Sequence, residues 1–156
     1  MRSKVVLTVF LLGMQLSLVS SLGYGEIDQE LLFKADVSRM EYLLLDARVD
    51  YIMRNPTNFF EVVFVYDPVG GEKLGLPKHA NTQNKIRIDI GDKRDVWTHK
   101  SGEALLDDFR KTLEIIYSYV EHIATDMNTD IVARFYSKGD IVLGYFYQGK
   151  YHVWGE

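Results

Sequence analysis

The chain has 156 residues, no cysteine and a formal net charge of −4 at pH 7. This length suits one domain with a substantial apolar core. The acidic balance offers no electrostatic basis for binding nucleic acid or anionic lipid. Because there is no cysteine, the fold has no disulfide, and its apolar core must hold it together.

The first 23 residues have the order of a secretory signal peptide. Arg2 and Lys4 precede an apolar stretch from Val5 to Val19, and serine and glycine follow it. A membrane span needs about 20 apolar residues, and this stretch is shorter. We therefore predict that residues 1–23 are removed and that residues 24–156 form a single domain, exported to the periplasm or cell surface of a bacterium. Removal takes away two basic residues and no acidic one, so the net charge becomes −6. The chain would be anchored in a membrane only if this signal peptide were not removed.

The segment from Glu26 to Arg54 is predicted to form a long amphipathic helix. Apolar residues recur along it at intervals of four and three, as on one helical face: Phe33, Val37, Met40, Leu44, Ala47 and Tyr51. Pro56 ends the helix, because proline disfavours helical geometry in the residue before it.

Two strands are predicted next. Residues 59–66 are aromatic or β-branched on both alternations apart from Glu61, which indicates a strand in the middle of a sheet. A polar loop follows over residues 69–84. Residues 85–90 then alternate charged residues with isoleucine, as in a strand that buries one face. A short additional strand is expected around Val96–His99.

A second long helix and three strands complete the prediction. The helix follows Ser101 and carries an unbroken apolar stripe from Leu105 to Met127. Turns at residues 138–140 and 148–150 divide the remainder into three strands. The predicted fold class is therefore α+β. Two long helices pack on one face of an antiparallel sheet of about five or six strands, in the order α-β-β-(β)-α-β-β-β.

Alternation along these strands assigns a set of side chains to the sheet face that the helices leave open. The set combines arginines with aromatic rings, and Gly144 would leave space between them: Arg87, Arg134, Tyr136, Phe146, His152 and Trp154. Guanidinium groups among aromatic rings suit an acidic or planar partner. The alternative is that the rings pair across strands and the arginines are ordinary edge charges.

Asp126, Asn128 and Asp130 alternate like the start of a calcium loop. Such a loop needs glycine at its sixth position and a bidentate glutamate at its twelfth, where this sequence has Ile131 and Ser137. The simpler interpretation is a helix end at which Asn128 takes up left-handed geometry. Calcium at these three residues is kept as an alternative, and no other cofactor is predicted.

The chain contains no G-x-S-x-G elbow, and its four histidines lack metal-ligand spacing. We predict a non-catalytic binding or adaptor module that meets another protein or a second copy of itself, through its open sheet face or its long first helix. The alternative is a small periplasmic enzyme, with or without a metal ion. Its carboxylates would come from Asp126 and Asp130 or from the turn that carries Asp89, Asp92 and Asp95.

Overall fold

The computed structural model describes residues 28–70 and 76–154. Their helices are α1 (Gln29–Arg54), α2 (Gly102–Tyr117) and α3 (Glu121–Asp126), and short 3-10 helices lie at Lys78–Ala80 and Trp97–His99. The strands are β1 (Phe60–Asp67), β2 (Lys85–Asp92), β3 (Asp130–Tyr136), β4 (Val142–Tyr147) and β5 (Lys150–Val153). The predicted signal peptide and its cleavage site lie outside the described residues.

The chain divides into two units after Asp36. The described part of the first unit is the beginning of α1. The rest of α1, the other helices and all five strands belong to the second unit. Across residues 28–70 and 76–154, no helix combines the length and the apolar composition needed to cross a bilayer.

The strands form one mixed sheet in the order β1-β2-β3-β4-β5. The α+β class is confirmed, but the prediction of a fully antiparallel sheet is wrong between β2 and β3, which run parallel with Lys85 opposite Asp130. The reason is that helices, not a short turn, connect these two strands and return the chain to the end where β2 began. The prediction for β1 is also wrong, since β1 is an edge strand.

One face of the sheet, called the inner face below, packs against the helices. Helix α1 buries Met40, Leu44, Ala47 and Tyr51 at the predicted spacing. Together with α2, it covers the inward side chains of β2 and β3. These belong to one apolar cluster and include Ile86, Ile88, Ile90, Ile131, Ala133 and Phe135. The isoleucine alternation of β2 therefore points as predicted.

The second long helix of the prediction is two helices. The chain leaves helical geometry at residues 118–120, where the N–H groups of Tyr119 and Val120 donate to carbonyls three residues earlier. The apolar stripe still faces the core on both sides of this break, because its members from Leu105 to Ile123 are buried.

Trp97–His99 form a 3-10 helix and not the short strand predicted around Val96–His99. Asp92, the last residue of β2, accepts hydrogen bonds from the N–H groups of Arg94 at 2.9 Å and Trp97 at 2.7 Å. These bonds fix a tight turn that inserts the Trp97 ring among three phenylalanine rings of the core. The N–H groups of Arg94 and Trp97 therefore bond to Asp92 and do not pair with a neighbouring strand.

Candidate functional site

Most residues predicted to bind a partner lie together on the sheet face opposite the helices, called the outer face below. Arg87, Arg134, Tyr136, His152 and Trp154 are on this face. Phe146 is not. Its ring lies on the inner face, with its centre 6.1 Å from that of Tyr117 in α2.

A β-bulge explains why Phe146 points inward. Val142 is paired with Tyr136 on the outer face, as predicted, but Gly144 is paired with Phe135 on the inner face. Leu143 is therefore an extra residue, and every later residue of β4 changes sides. Gly144, predicted to point outward, lies beneath the ring of Phe109, and a Cβ atom there would come within 2.6 Å of that ring.

The outer face carries at its centre a cluster of two arginines and one aspartate, called the arginine network: Arg87, Asp89 and Arg134. Asp89 accepts from Arg134 Nε at 2.7 Å and Arg134 Nη2 at 2.9 Å, and from Arg87 Nε at 3.0 Å. Their side chains are only 9% to 18% exposed. Charge-assisted bonds of this kind hold both guanidinium groups in fixed orientations. Because two cations share one carboxylate, the network keeps one net positive charge.

Tyr136 lies against the arginine network. The guanidinium carbon of Arg134 is 5.0 Å from the centre of the Tyr136 ring, a cation–π contact. Burial, followed by the negative charge of Asp89, raises the pKa of the Tyr136 hydroxyl to about 12. The hydroxyl is therefore neutral at physiological pH and remains a hydrogen-bond donor beside two cations.

Aromatic rings of β4 and β5 extend this surface as an aromatic shelf, formed by Tyr145, His152 and Trp154. The Tyr145 and His152 rings are stacked with centres 4.5 Å apart, and the Trp154 ring meets Tyr145 edge-on at 6.2 Å. Trp154 is 49% exposed. In the strand register Asp89 is opposite Arg134, Arg134 is opposite Tyr145, and Tyr145 is opposite His152. The network and the shelf therefore form one continuous row of side chains across four strands, in which Arg134 and Tyr145 are buried.

Known proteins do not identify this surface. No protein-family model matches the chain, and the comparisons with curated proteins and solved structures gave no match. The proposed function therefore rests on the residues of this chain alone.

The outer face is not fully open, contrary to the prediction. Leu76 and Ala80 pack on it in one cluster with Val132, Tyr145 and Tyr147, so that the Tyr145 member of the shelf is covered. Lys85 is completely buried beneath this segment, where its ammonium group lies 2.8 Å from Asp67 Oδ2 and donates to Asn81 Oδ1 at 3.1 Å. A partner therefore meets less of the outer face than the sequence suggested.

Asp126, Asn128 and Asp130 lie at the end of α3 and the start of β3. Asn128 has a φ of 49°, and its N–H donates to the Thr125 carbonyl at 3.2 Å, which is the geometry of a helix end. Asn128 and Asp130, but not Asp126, line a polar groove of about 410 Å³ beside the β4–β5 turn. In the described part of the chain, no three histidine, aspartate or glutamate side chains are grouped closely enough to hold a metal ion.

Asp89, Asp92 and Asp95 do not share a site. Asp89 belongs to the arginine network, whereas Asp92 points to the inner face and holds the turn before Trp97. Residues three apart on a strand point to opposite faces, so these two carboxylates cannot meet. Asp95 has a φ of 62° and accepts from the Thr98 hydroxyl at 2.5 Å. Each carboxylate therefore has partners of its own.

Sequence reasoning missed two members of this surface. Asp89 was placed on the correct side of β2, but its pairing with Arg134, 45 residues away, depends on β2 and β3 being neighbours. Tyr145 lies between Gly144 and Phe146, so the alternation that predicts those two to point outward predicts Tyr145 to point inward, and the bulge at Leu143 reverses all three. The alternation of Arg87 with Asp89 was the only local signal for an ion pair.

Proposed function

We propose that the chain is an exported, non-catalytic binding or adaptor module that acts in the periplasm or at the cell surface of a bacterium. The leader pattern of residues 1–23 supports export. The observation that carries the binding role is the continuity of the arginine network with the aromatic shelf along one cross-strand row.

The chemistry of this surface favours an acidic protein segment as the partner. Among the described residues, neither terminal nitrogen of the Arg87 guanidinium group has a hydrogen-bond partner. These two nitrogens are therefore available to a carboxylate. The Tyr136 hydroxyl adds a neutral donor nearby. Trp154 supplies the large exposed ring that often anchors protein interfaces. An extended segment that carries a carboxylate and, several residues away, a flat side chain would engage both parts at once.

Affinity capture from the exported fraction of the source cells tests this proposal. The purified chain is immobilised, and the amounts of bound proteins are compared between wild type, Arg87→Ala and Trp154→Ala. Each substitution is expected to reduce specific capture about tenfold, which corresponds to about 1.4 kcal/mol. Arg110→Ala and Phe59→Ala are controls, since they remove an exposed arginine and an exposed aromatic side chain elsewhere.

The controls determine how the result is interpreted. Thermal unfolding first establishes that all four variants are folded. If Arg87→Ala and Trp154→Ala bind the same proteins in the same amounts as wild type, the outer face is not the binding surface. If the controls lose capture equally, binding is not localised to that face and the proposal is wrong.

A further inference from the structure

Helix α1 carries two apolar stripes on opposite sides. The first, Met40, Leu44, Ala47 and Tyr51, is buried, and the Tyr51 ring contacts Phe64 of the sheet at 6.5 Å. The second stripe, called the outward seam, consists of Tyr42, Leu45, Val49 and Ile52, which are between 51% and 70% exposed. At about 100° per residue, the two stripes are centred roughly 150° apart around the helix.

The outward seam has the spacing of a coiled-coil interface. Its members are separated by three, four and three residues, which is the alternation of a and d positions in a heptad repeat. A helix that is apolar on both sides is normally buried on both sides. The seam therefore lacks a cover among the described residues, and its regular spacing points to another helix as the cover.

The charges beside the seam lack partners within the described chain. Arg39 and Asp46 flank one side of the seam, and Glu41 and Arg48 flank the other. None of these four makes a hydrogen bond or ion pair with a described residue, and Arg48 Nε is buried without a partner. Elsewhere on the same helix, the pairs Lys34–Glu30 and Arg54–Asp50 are formed. Within residues 37–54, the unpaired charges are thus those at the flanking e and g positions of the heptad.

We propose that α1 pairs in antiparallel orientation with α1 of a second copy of this chain through the outward seam. In the register that places Tyr42 against Leu45 of the other copy, Arg39 meets Asp46 and Glu41 meets Arg48, and two-fold symmetry forms each pair twice. Residues 37–50 of both copies then overlap over about four helical turns. All four unpaired flanking charges acquire a partner of opposite sign.

Competing arrangements bring like charges together. In a parallel pair, Glu41 would face Asp46 of the other copy. If the antiparallel register moves by one heptad in one direction, Asp46 meets Asp46 and Arg48 meets Arg48. In the other direction Arg39 meets Arg39 and Glu41 meets Glu41. The charge pattern therefore selects one orientation and one register.

This pairing is independent of the proposed binding role of the outer face. Helix α1 packs on the inner face through its buried stripe, so the seam points away from the sheet. If two copies do not pair, the capture experiment can still give its expected result. If the capture experiment fails, the two copies can still pair through the outward seam.

Size-exclusion chromatography with light scattering tests the pairing directly. The mass of the single chain comes from mass spectrometry of the same sample. At about 100 µM, where a dimer of micromolar Kd predominates, the wild type is expected to show twice that mass. Leu45→Glu is expected to be monomeric, and Ile115→Glu dimeric. Ile115 is a matched control because it lies on α2 and is 57% exposed, against 59% for Leu45. A monomeric wild type, or equal behaviour of the two variants, would overturn the proposal.

Charge reversal tests the register without altering the apolar seam. Asp46→Arg alone is expected to raise the dimer Kd at least tenfold, because it places two arginines together. The double variant Arg39→Glu/Asp46→Arg restores an opposite pair and is expected to restore the wild-type Kd. If the double variant remains as weak as the single one, the assigned pairing is wrong.

Cysteine cross-linking tests the orientation, and the cysteine-free chain makes it unambiguous. Ser38 lies opposite Val49 of the other copy in the proposed register, whereas the two Ser38 residues are about 16 Å apart along the helix axis. Disulfides require Cα atoms within about 7 Å. A mixture of Ser38→Cys and Val49→Cys chains is therefore expected to form the mixed disulfide on oxidation, and neither chain alone should cross-link. Homodimeric disulfides from each chain alone would indicate a parallel pair and overturn the proposal.

Discussion

Gly144 provides the sharpest test of the sheet register. On the inner face, a methyl group at this position would overlap the carbonyl oxygen of His152 and approach the Phe109 ring to 2.6 Å. The first neighbour is backbone of β5, held there by the pairing of Gly144 with Val153. The second belongs to α2 and is fully buried, stacked on Phe135 with ring centres 4.0 Å apart. Neither neighbour can move without disturbing the core.

These contacts set the expected cost of Gly144→Ala. Overpacking a well-packed core by one methyl group costs about 1–3 kcal/mol, and a rigid backbone neighbour places this position at the upper end. Replacing glycine by alanine also reduces the freedom of the unfolded chain, which returns about 0.4–1 kcal/mol. The net loss in the free energy of unfolding should therefore be about 2 kcal/mol.

Urea unfolding followed by tryptophan fluorescence measures this loss. With an m-value of about 2 kcal/mol/M for a domain of this size, the midpoint should fall by about 1 M. Gly91→Ala is the control, because a Cβ atom there meets Glu61 only at an ordinary 3.7 Å, and its midpoint should change little. If Gly144→Ala is as stable as Gly91→Ala, Gly144 points outward after all, and the bulge at Leu143 is wrong.

Three other predictions concern the buried Asp67–Lys85 pair, the Tyr136 hydroxyl and the removal of residues 1–23. Asp67→Asn should lower the free energy of unfolding by about 3 kcal/mol, because it leaves the buried Lys85 ammonium without a counter-charge; the double variant Asp67→Asn/Lys85→Met should recover part of this loss in urea titrations. Since the pKa of Tyr136 is raised from 10.0 to about 12, the folded chain retains a proton that the unfolded chain releases, so stability should fall as the pH rises through this range. Tyr136→Phe should reduce that fall by about 1 kcal/mol after allowance for solvent screening, as measured by denaturant midpoints at about pH 9 and about pH 11. Chain purified from the exported fraction should lack residues 1–23 by intact-mass measurement, and a full-length mass there would contradict the cleavage prediction.

The elements that sequence predicted well are those whose periodicity is set by a single buried face. The spacing from Met40 to Tyr51 and the isoleucines of β2 each match one core-facing surface, so local pattern and tertiary packing agree. The end of α1 at Arg54 is also set locally, because Pro56 disfavours helical geometry in the residue before it.

The errors arise where the outcome depends on contacts distant in sequence. In β4 nearly every residue is apolar or aromatic, so the sequence offers no polar marker for the outer face, and the bulge is fixed by pairing with Phe135 and Tyr136. The parallel pairing of β2 with β3 depends on the path of the helices between them. The arginine network could not be foreseen without that pairing, because Asp89 meets Arg134 only across it.

The two proposed surfaces together make a prediction that neither makes alone. An antiparallel α1 pair would place the two sheets on opposite sides of the seam, with the outer faces directed away from each other. A partner with repeated acidic segments could then engage both copies, and linkage would raise the apparent affinity well above that of one site. Leu45→Glu should therefore weaken capture of a surface-immobilised multivalent partner while leaving the affinity for a single segment in solution unchanged. Leu45 lies on the side of α1 away from the sheet and cannot act on the outer face itself. Equal losses in both formats would therefore contradict this prediction.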